Sequence, residues 1–275
     1  MINSYGFRKI KNQLFFILCA ICVIIAIIPL ASILFEVTKN GYSQISLTFL
    51  TADSANGGIG PAIQGTLILI GLTSAIGIPI GILSGIYLSE FGNNKFAQNL
   101  RIINNIITQF PSIIIGITVY GLLVLALGSF SAIAGAIALS FILIPIVTRT
   151  TEESLKLVPN NIREASLALG THNWRTTVSV VLPTAKNGLL TGTLLAIARI
   201  AGETAPLIMT IMGNRYFFQG INKPLAALPL EIWKNALQPY PEANAQGWGA
   251  ALILILIVLI VNIAVRLASR SRMKT

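Results

Sequence analysis

A chain of 275 residues that is 54% hydrophobic, only 10% charged and has a mean hydropathy of +0.78 carries apolar runs too long for the core of a water-soluble domain. Nineteen Lys and Arg against nine Asp and Glu leave a formal charge of +10, but the cations are scattered among the apolar runs rather than gathered on one face. That distribution argues against nucleic-acid binding and for an all-α polytopic membrane protein in which charge marks topology.

A helix needs about 20 mostly apolar residues to cross the hydrocarbon. The first such run, 14–35, follows a basic patch of Arg8, Lys9 and Lys11. It exceeds a typical signal-peptide core and lacks a clear small-residue cleavage site, so an uncleaved first span is expected. Cys19 and Cys22 within it form a C-x-x-C pair, yet no second pair or nearby His accompanies them, and packing is the expected role. An outer loop, 36–61, with a Gly-rich end leads to a second run at 63–88, followed by a third at 106–127. A shorter run, 132–147, has Pro145 near its end and only Gly128-Ser129 for the turn before it. After a polar stretch come runs at 188–212 and 248–267, making six transmembrane helices.

With the amino terminus inside, fourteen Lys and Arg face the cytoplasm: Arg8, Lys9 and Lys11, then Lys95 and Arg101, five between Arg149 and Lys186, and finally Arg266, Arg270, Arg272 and Lys274. Only Lys39, Arg215, Lys223 and Lys234 lie on the other side, which predicts both termini in the cytoplasm. The outer segment 213–247 carries Tyr216, Phe217, Phe218, Trp233 and Tyr240, with Trp248 at its margin. Aromatics favour the membrane interface, and contact with an external protein is the sharper alternative, shared with the loop at 36–61.

No phosphate-binding loop of the form G-x-x-x-x-G-K-[ST] occurs, and Gly57-Gly58-Ile59-Gly60 lacks the lysine that would reach a phosphate. The chain therefore does not hydrolyse ATP alone. Its single histidine, His172, has no nucleophile at recognisable spacing and no ligand cluster, so it reads as a solvated loop residue and no enzyme or metal site is expected.

The polar stretch holds Arg163-Glu164-Ala165-Ser166-Leu167-Ala168-Leu169-Gly170. Pro159 can open a helix, Ile162, Ala165, Ser166 and Leu169 recur at helical spacing, and Gly170 suits the left-handed residue that ends it. Asn173 is placed to cap a second short helix through Val181, which Pro183 would stop or redirect. The product is a helix-turn-helix projecting from the membrane, either a docking element or a solvated connector. Glu164 sits near its helix start, where a carboxylate is favoured.

Glu164-Ala165-Ser166, three residues, Gly170, nine residues, Val180, one residue and Leu182-Pro183 together resemble the EAA loop of ABC importer permeases. Ser166 and Val180 depart from that pattern, which has Ala and Ile there. Ala201-Gly202-Glu203-Thr204-Ala205-Pro206-Leu207, the glycine-rich 57–66 and Phe110-Pro111-Ser112-Ile113 are similar to signatures of the A-type permeases of phosphate-specific (Pst) importers. The likeness extends from about Gly57 to the end. It implies a type I ABC importer permease: 1–60 a transmembrane helix and external loop, 61–275 the permease core, with a cytoplasmic coupling loop at about 150–186. It further implies Glu164, Ala165, Ser166 and Gly170 as the ATPase-coupling residues and phosphate import across a bacterial plasma (inner) membrane. The implied partners are a second homologous permease, an ATPase dimer and an external phosphate-binding protein. ATP and Mg would bind the ATPase, with no cofactor on this chain.

Span 188–212 carries charge within an apolar run. At 100° per residue, Gly188, Gly192, Leu195, Ala196, Gly202, Glu203, Pro206 and Thr210 fall within about 60° of Arg199. Leu190, Ile197, Ala201 and Ile208 lie opposite. A charge near the bilayer centre costs about 3 kcal/mol on insertion scales, so Arg199 and Glu203 need partners or water. A purely structural i,i+4 ion pair is one reading. The functional one gives Arg199 the planar fork that recognises a phosphate oxyanion, with Glu203 orienting it or accepting a proton. Pro206 would remove the hydrogen bond to the Gly202 carbonyl, making Gly202 and Pro206 a hinge for a gate. The alternatives are a permease for sulfate, molybdate or phosphonate, a self-sufficient secondary transporter, and a membrane sensor of phosphate status.

Overall fold

A computed structural model describes residues 3–271 of the chain in their backbone, and 7–267 in their side chains as well. The side chain of Arg270, and all of Arg272 and Lys274, which count toward the expected topology, lie outside the described residues. Among the described residues the chain is helical, with one isolated parallel bridge between Met212 and Leu225. Five helices are long and apolar enough to cross a membrane, and a sixth span results if one sharply bent pair is counted together.

Helix α1 (Asn3–Tyr42) touches the rest of the chain near its end, where Gly41 lies so close that an added Cβ would sit 2.7 Å from the Trp248 carbonyl oxygen. From Phe7 to Phe35 its apolar side chains are exposed. Cys19 and Cys22 are free and exposed on this helix, so the expected packing role is not met within the chain. Short α2 (Leu47–Thr51), capped by the Ser46 hydroxyl, leads to α3 (Gly60–Ile86), which continues as a π turn over Tyr87–Phe91.

The expected continuous span at 106–127 is instead broken. α4 (Lys95–Gln109) and the helix of α5 (Ser112–Val119), a π turn (Tyr120–Val124) and α6 (Leu125–Leu127) meet at 102°. Pro111 has no N–H to give the helix and forces Phe110 out of helical geometry, to φ −67° and ψ 136°.

The run with the weakest sequence signal, 132–147, belongs to α7 (Ala132–Lys156), the most buried of the long helices. Small residues explain it. Gly77, Gly81 and Gly85 recur every four residues on α3 and bring Leu143, Val147 and Thr151 of α7 within 2.7, 2.7 and 2.5 Å of where a Cβ would stand. The two helices run parallel.

Beyond α7 lie α8 (Asn160–Ala168) and α9 (Asn173–Thr176). A π turn (Thr177–Val181) joins α9 to α10 (Leu182–Ala201), giving one helical run of 29 residues, Asn173–Ala201. Two expectations are corrected here. The N-cap is His172, whose carbonyl accepts from Arg175 and Thr176, not Asn173. Pro183 lies inside this continuous run, and the π turn over Thr177–Val181 just before it accommodates the missing N–H, so the helix does not stop. α10 runs antiparallel to α7, with Gly188 against Ser154 and Gly192 against Thr150.

The chain continues through α11 (Ala205–Thr210), a turn at Met212 and Gly213 with positive φ, α12 (Leu228–Ala236) and α13 (Pro241–Ser271). Part of the outer segment is core rather than surface. Leu225, Ala226, Ala227 and Leu228 are buried against the start of α3. There the Leu228 N–H donates to Thr66 Oγ1 at 2.9 Å, the Phe218 N–H to Gln64 Oε1 at 2.8 Å, and a Cβ on Gly65 would come 2.0 Å from the Ala226 oxygen. The glycine-rich 57–66 is thus a seat for this returning loop.

Candidate functional site

The two helix breaks face one another. A cavity of about 340 Å³ is lined by Thr108, Gln109, Phe110, Pro111, Ser112 and Ile115 from the α4–α5 break, by Ile142 and Ile146 of α7, and by Arg199 and Glu203. Small residues explain how α10 reaches it. Gly188, Gly192 and Ala196 press its face onto α7, and one turn further the same face carries Arg199 into the opening.

Arg199 lies in the last turn of α10, where a cation is favoured by the helix dipole. Its Nε is 3.8 Å from Glu203 Oε1, an ionic contact but too long for a hydrogen bond. The Arg199 side chain is 58% exposed and that of Glu203 only 18%. A cavity of this size has room for a hydrated oxyanion, and a guanidinium whose donors are free of Glu203 can receive one. The first turn of α5, beginning at Ser112, adds the partial positive charge of a helix start.

The face computed for an unbroken 188–212 helix holds as far as Ala201, except that Leu195 is an exposed apolar residue. Past that point it fails. Gly202 is the C-cap of α10, and Pro206 lies in the first turn of α11, where no helical hydrogen bond was there to lose. The loosening expected from Pro206 is therefore corrected, and the break itself is at 202–204. Pro206 is buried against α5, with an added Cβ on Gly116 only 2.7 Å from its Cα. This contact separates the charged cavity from a larger one of about 570 Å³ at the other ends of α5 and α11, lined by Tyr120, Met209, Met212, Trp233, Arg215 and Lys234 among others. Thr108, Gln109 and Ser112 were missed as lining residues. The Phe-Pro-Ser sequence carried the signal, since proline excludes helix at the residue before it.

The helix-turn-helix is present, with Gly170 at φ +78° and no atom within 4 Å of an added Cβ. Glu164, Ala165 and Gly170 are exposed, as are Leu169 and Trp174. Ser166 is buried and turns inward. Its hydroxyl lies 2.8 Å from Thr171 Oγ1 and 2.9 Å from Thr176 Oγ1, which are 3.0 Å apart, so three hydroxyls fasten α8 to α9 across the turn. His172 is exposed, and among the described residues no group of acidic, His and Cys side chains is arranged to hold a metal ion.

Residues 77–274 match the model of a family described as binding-protein-dependent transport system inner membrane component. The phosphate transport system permease protein PstA of Haemophilus influenzae is 43% identical over 268 residues, 96% of this chain and 95% of the relative. PstA of Yersinia pestis is 41% identical over 96% of this chain and 92% of its own length. The probable PstA of Methanocaldococcus jannaschii is 38% identical over 99% of each chain. Among solved structures, a bacterial ABC transporter involved in the import of the acidic polysaccharide alginate matches with a TM-score of 0.70 at 14% identity, over 98% of this chain and 99% of that one. The inward-facing MetNI methionine ABC transporter matches at 0.63 and 19%, over 82% and 99%. The fold is that of type I ABC importer permeases, and the chain belongs to the family of binding-protein-dependent transport system inner membrane components.

Proposed function

We propose that this chain is a permease subunit of an ABC importer that carries inorganic phosphate into the cell, driven by ATP hydrolysis on a separate ATPase subunit. The observation that carries the reading is its full-length likeness to phosphate transport system permease proteins. The cavity at Arg199 and Glu203 supports it with chemistry suited to a hydrogen-bonding oxyanion. Arg199 receives phosphate oxygens, while Glu203 orients the guanidinium and accepts from the phosphate hydroxyl, a donor that sulfate lacks near neutral pH. Gly202 and Pro206 bracket the break at which the path opens and closes.

The exposed face of Arg199 is where a second, homologous permease completes the pathway. Glu164, Ala165 and the turn at Gly170 dock a dimer of ATPase subunits, which hold the ATP and Mg, and Ser166 keeps that docking element rigid. An external phosphate-binding protein delivers phosphate to the opposite side. The protein lies in a bacterial inner membrane with both termini in the cytoplasm, as the excess of Lys and Arg around α8 and at the ends of the chain favours. Closure of the ATPase dimer moves the docking element, the path opens outward to receive phosphate, and hydrolysis resets it inward.

The test is uptake of labelled phosphate and labelled sulfate by cells lacking their own copy and supplied with this chain or its Arg199→Ala variant. Phosphate-selective rescue, lost in the variant at equal membrane abundance, is expected. Rescue of both anions, or failure of the unaltered chain despite assembly with its partners, would move the assignment to another oxyanion.

A further inference from the structure

Arg163 directly precedes the docking residues, yet its guanidinium turns away from them. It forks onto Glu90, with Nη2 at 2.9 Å from Oε1 and Nε at 3.3 Å from Oε2, while Nη2 also donates to the Leu155 carbonyl at 2.8 Å and Nη1 to that of Val158. Both side chains are largely covered, 19% exposed for Arg163 and 10% for Glu90. Glu90 lies in the π turn that ends α3, Leu155 in the last turn of α7 and Val158 just beyond its C-cap, Leu157. Among the described residues this is the one ion pair that joins α8 to the membrane helices.

The same end of α3 is gripped from its other side. Arg101 of α4 donates to the carbonyls of Leu88 at 2.7 Å and Gly92 at 3.3 Å, and its Nε to Glu152 Oε1 of α7 at 2.8 Å. Each arginine therefore joins a carboxylate to the carbonyls at a helix C-terminus, where a cation is favoured. α4 then runs from Arg101 to the Phe110-Pro111 break that lines the charged cavity.

We propose that Arg163 is a positioning residue for transport: its fork on Glu90 passes displacement of the docking helix α8 to the end of α3, and Arg101 hands it on to α4 and the cavity. This rests on the reading of α8 as the ATPase-docking element. A planar fork held by two elements resists shear in a way that a single flexible contact does not. The link should therefore matter for coupling more than for attachment.

The test uses the whole importer with its ATPase and partner permease, reconstituted in liposomes, with Glu90→Gln and Arg163→Lys in turn. Yield, ATPase retained per complex, and phosphate moved per ATP hydrolysed are measured. Expected is normal yield and normal ATPase content, with phosphate per ATP down about tenfold, the equivalent of one charge-assisted hydrogen bond. Unchanged phosphate per ATP in both variants would overturn the proposal, including the case in which yield and transport fall together and Arg163 is only a brace. Loss of the ATPase from Glu90→Gln would also overturn it, by making Glu90 part of the attachment surface. A companion variant, Leu169→Glu on the exposed turn, should detach the ATPase. If the ATPase stays bound there, the docking reading fails, and the link fails with it for a distinguishable reason.

Discussion

Removing Arg199 separates a brace from a binding group. At 3.8 Å the pair with Glu203 would be worth about 4 kcal/mol at an effective dielectric of 20. The guanidinium makes no hydrogen bond to the carboxylate, and with water filling the cavity that both line, screening reduces that to about 1 kcal/mol or less. As a brace, then, Arg199→Ala should lower the melting temperature of the assembled complex by only about 2–4 °C. As an oxyanion ligand it provides a charge-assisted fork worth about 1.5–3 kcal/mol, so uptake should fall roughly tenfold to a hundredfold. Arg199→Lys should recover only part of the loss, because it restores charge without the fork. Adding Glu203→Gln to Arg199→Ala should deepen the loss of phosphate uptake further, since the carboxylate accepts from the phosphate hydroxyl on its own account. Thermal unfolding of the purified complex and labelled phosphate uptake in liposomes supply both numbers. A fall of ten degrees or more with uptake per assembled complex unchanged would refute the assignment and leave the pair as an internal strut.

Four further substitutions, one of them a control, probe the surrounding geometry. Gly170→Leu meets open space but must hold φ +78°, at a cost of about 1–2 kcal/mol confined to the turn, so membrane abundance should persist while ATP hydrolysis uncouples from uptake; normal phosphate per ATP would contradict it. Gly65→Val places a Cβ 2.0 Å from the Ala226 oxygen and should dislodge the returning loop, raising protease cleavage within 213–227, whereas Gly71→Ala, with nothing within 4 Å, should leave protection unchanged. Gly116→Leu pushes α5 away from Pro206 and should cut uptake more than it cuts assembly, measured as transport per purified complex.

What could be read from residues alone followed the strength of the local rule. Apolar run length located the spans, and Gly170 announced its left-handed turn because few other residues adopt it. Helical periodicity placed Arg199 and Glu203 together but was extended through Gly202, where tertiary packing of α11 on α5 had already ended the helix. Phe110-Pro111 showed the same kind of break and was overlooked within a continuous apolar run. The burial of α7 depends on glycines in α3, more than sixty residues earlier, and no local pattern in 132–147 expresses it. The family resemblance counts Ser166 with the docking residues, and only the nearness of Thr171 and Thr176 turns it inward.

The seat at Gly65 and Thr66 also sets a clock for biogenesis. Its occupant, Leu228, is synthesised 162 residues later, so at ordinary translation rates the seat stays unfilled for roughly ten to thirty seconds. During that interval the start of α3 at Gly65 and Thr66 lacks the segment that covers it. A quality-control protease would find truncated or stalled chains open there and completed ones closed.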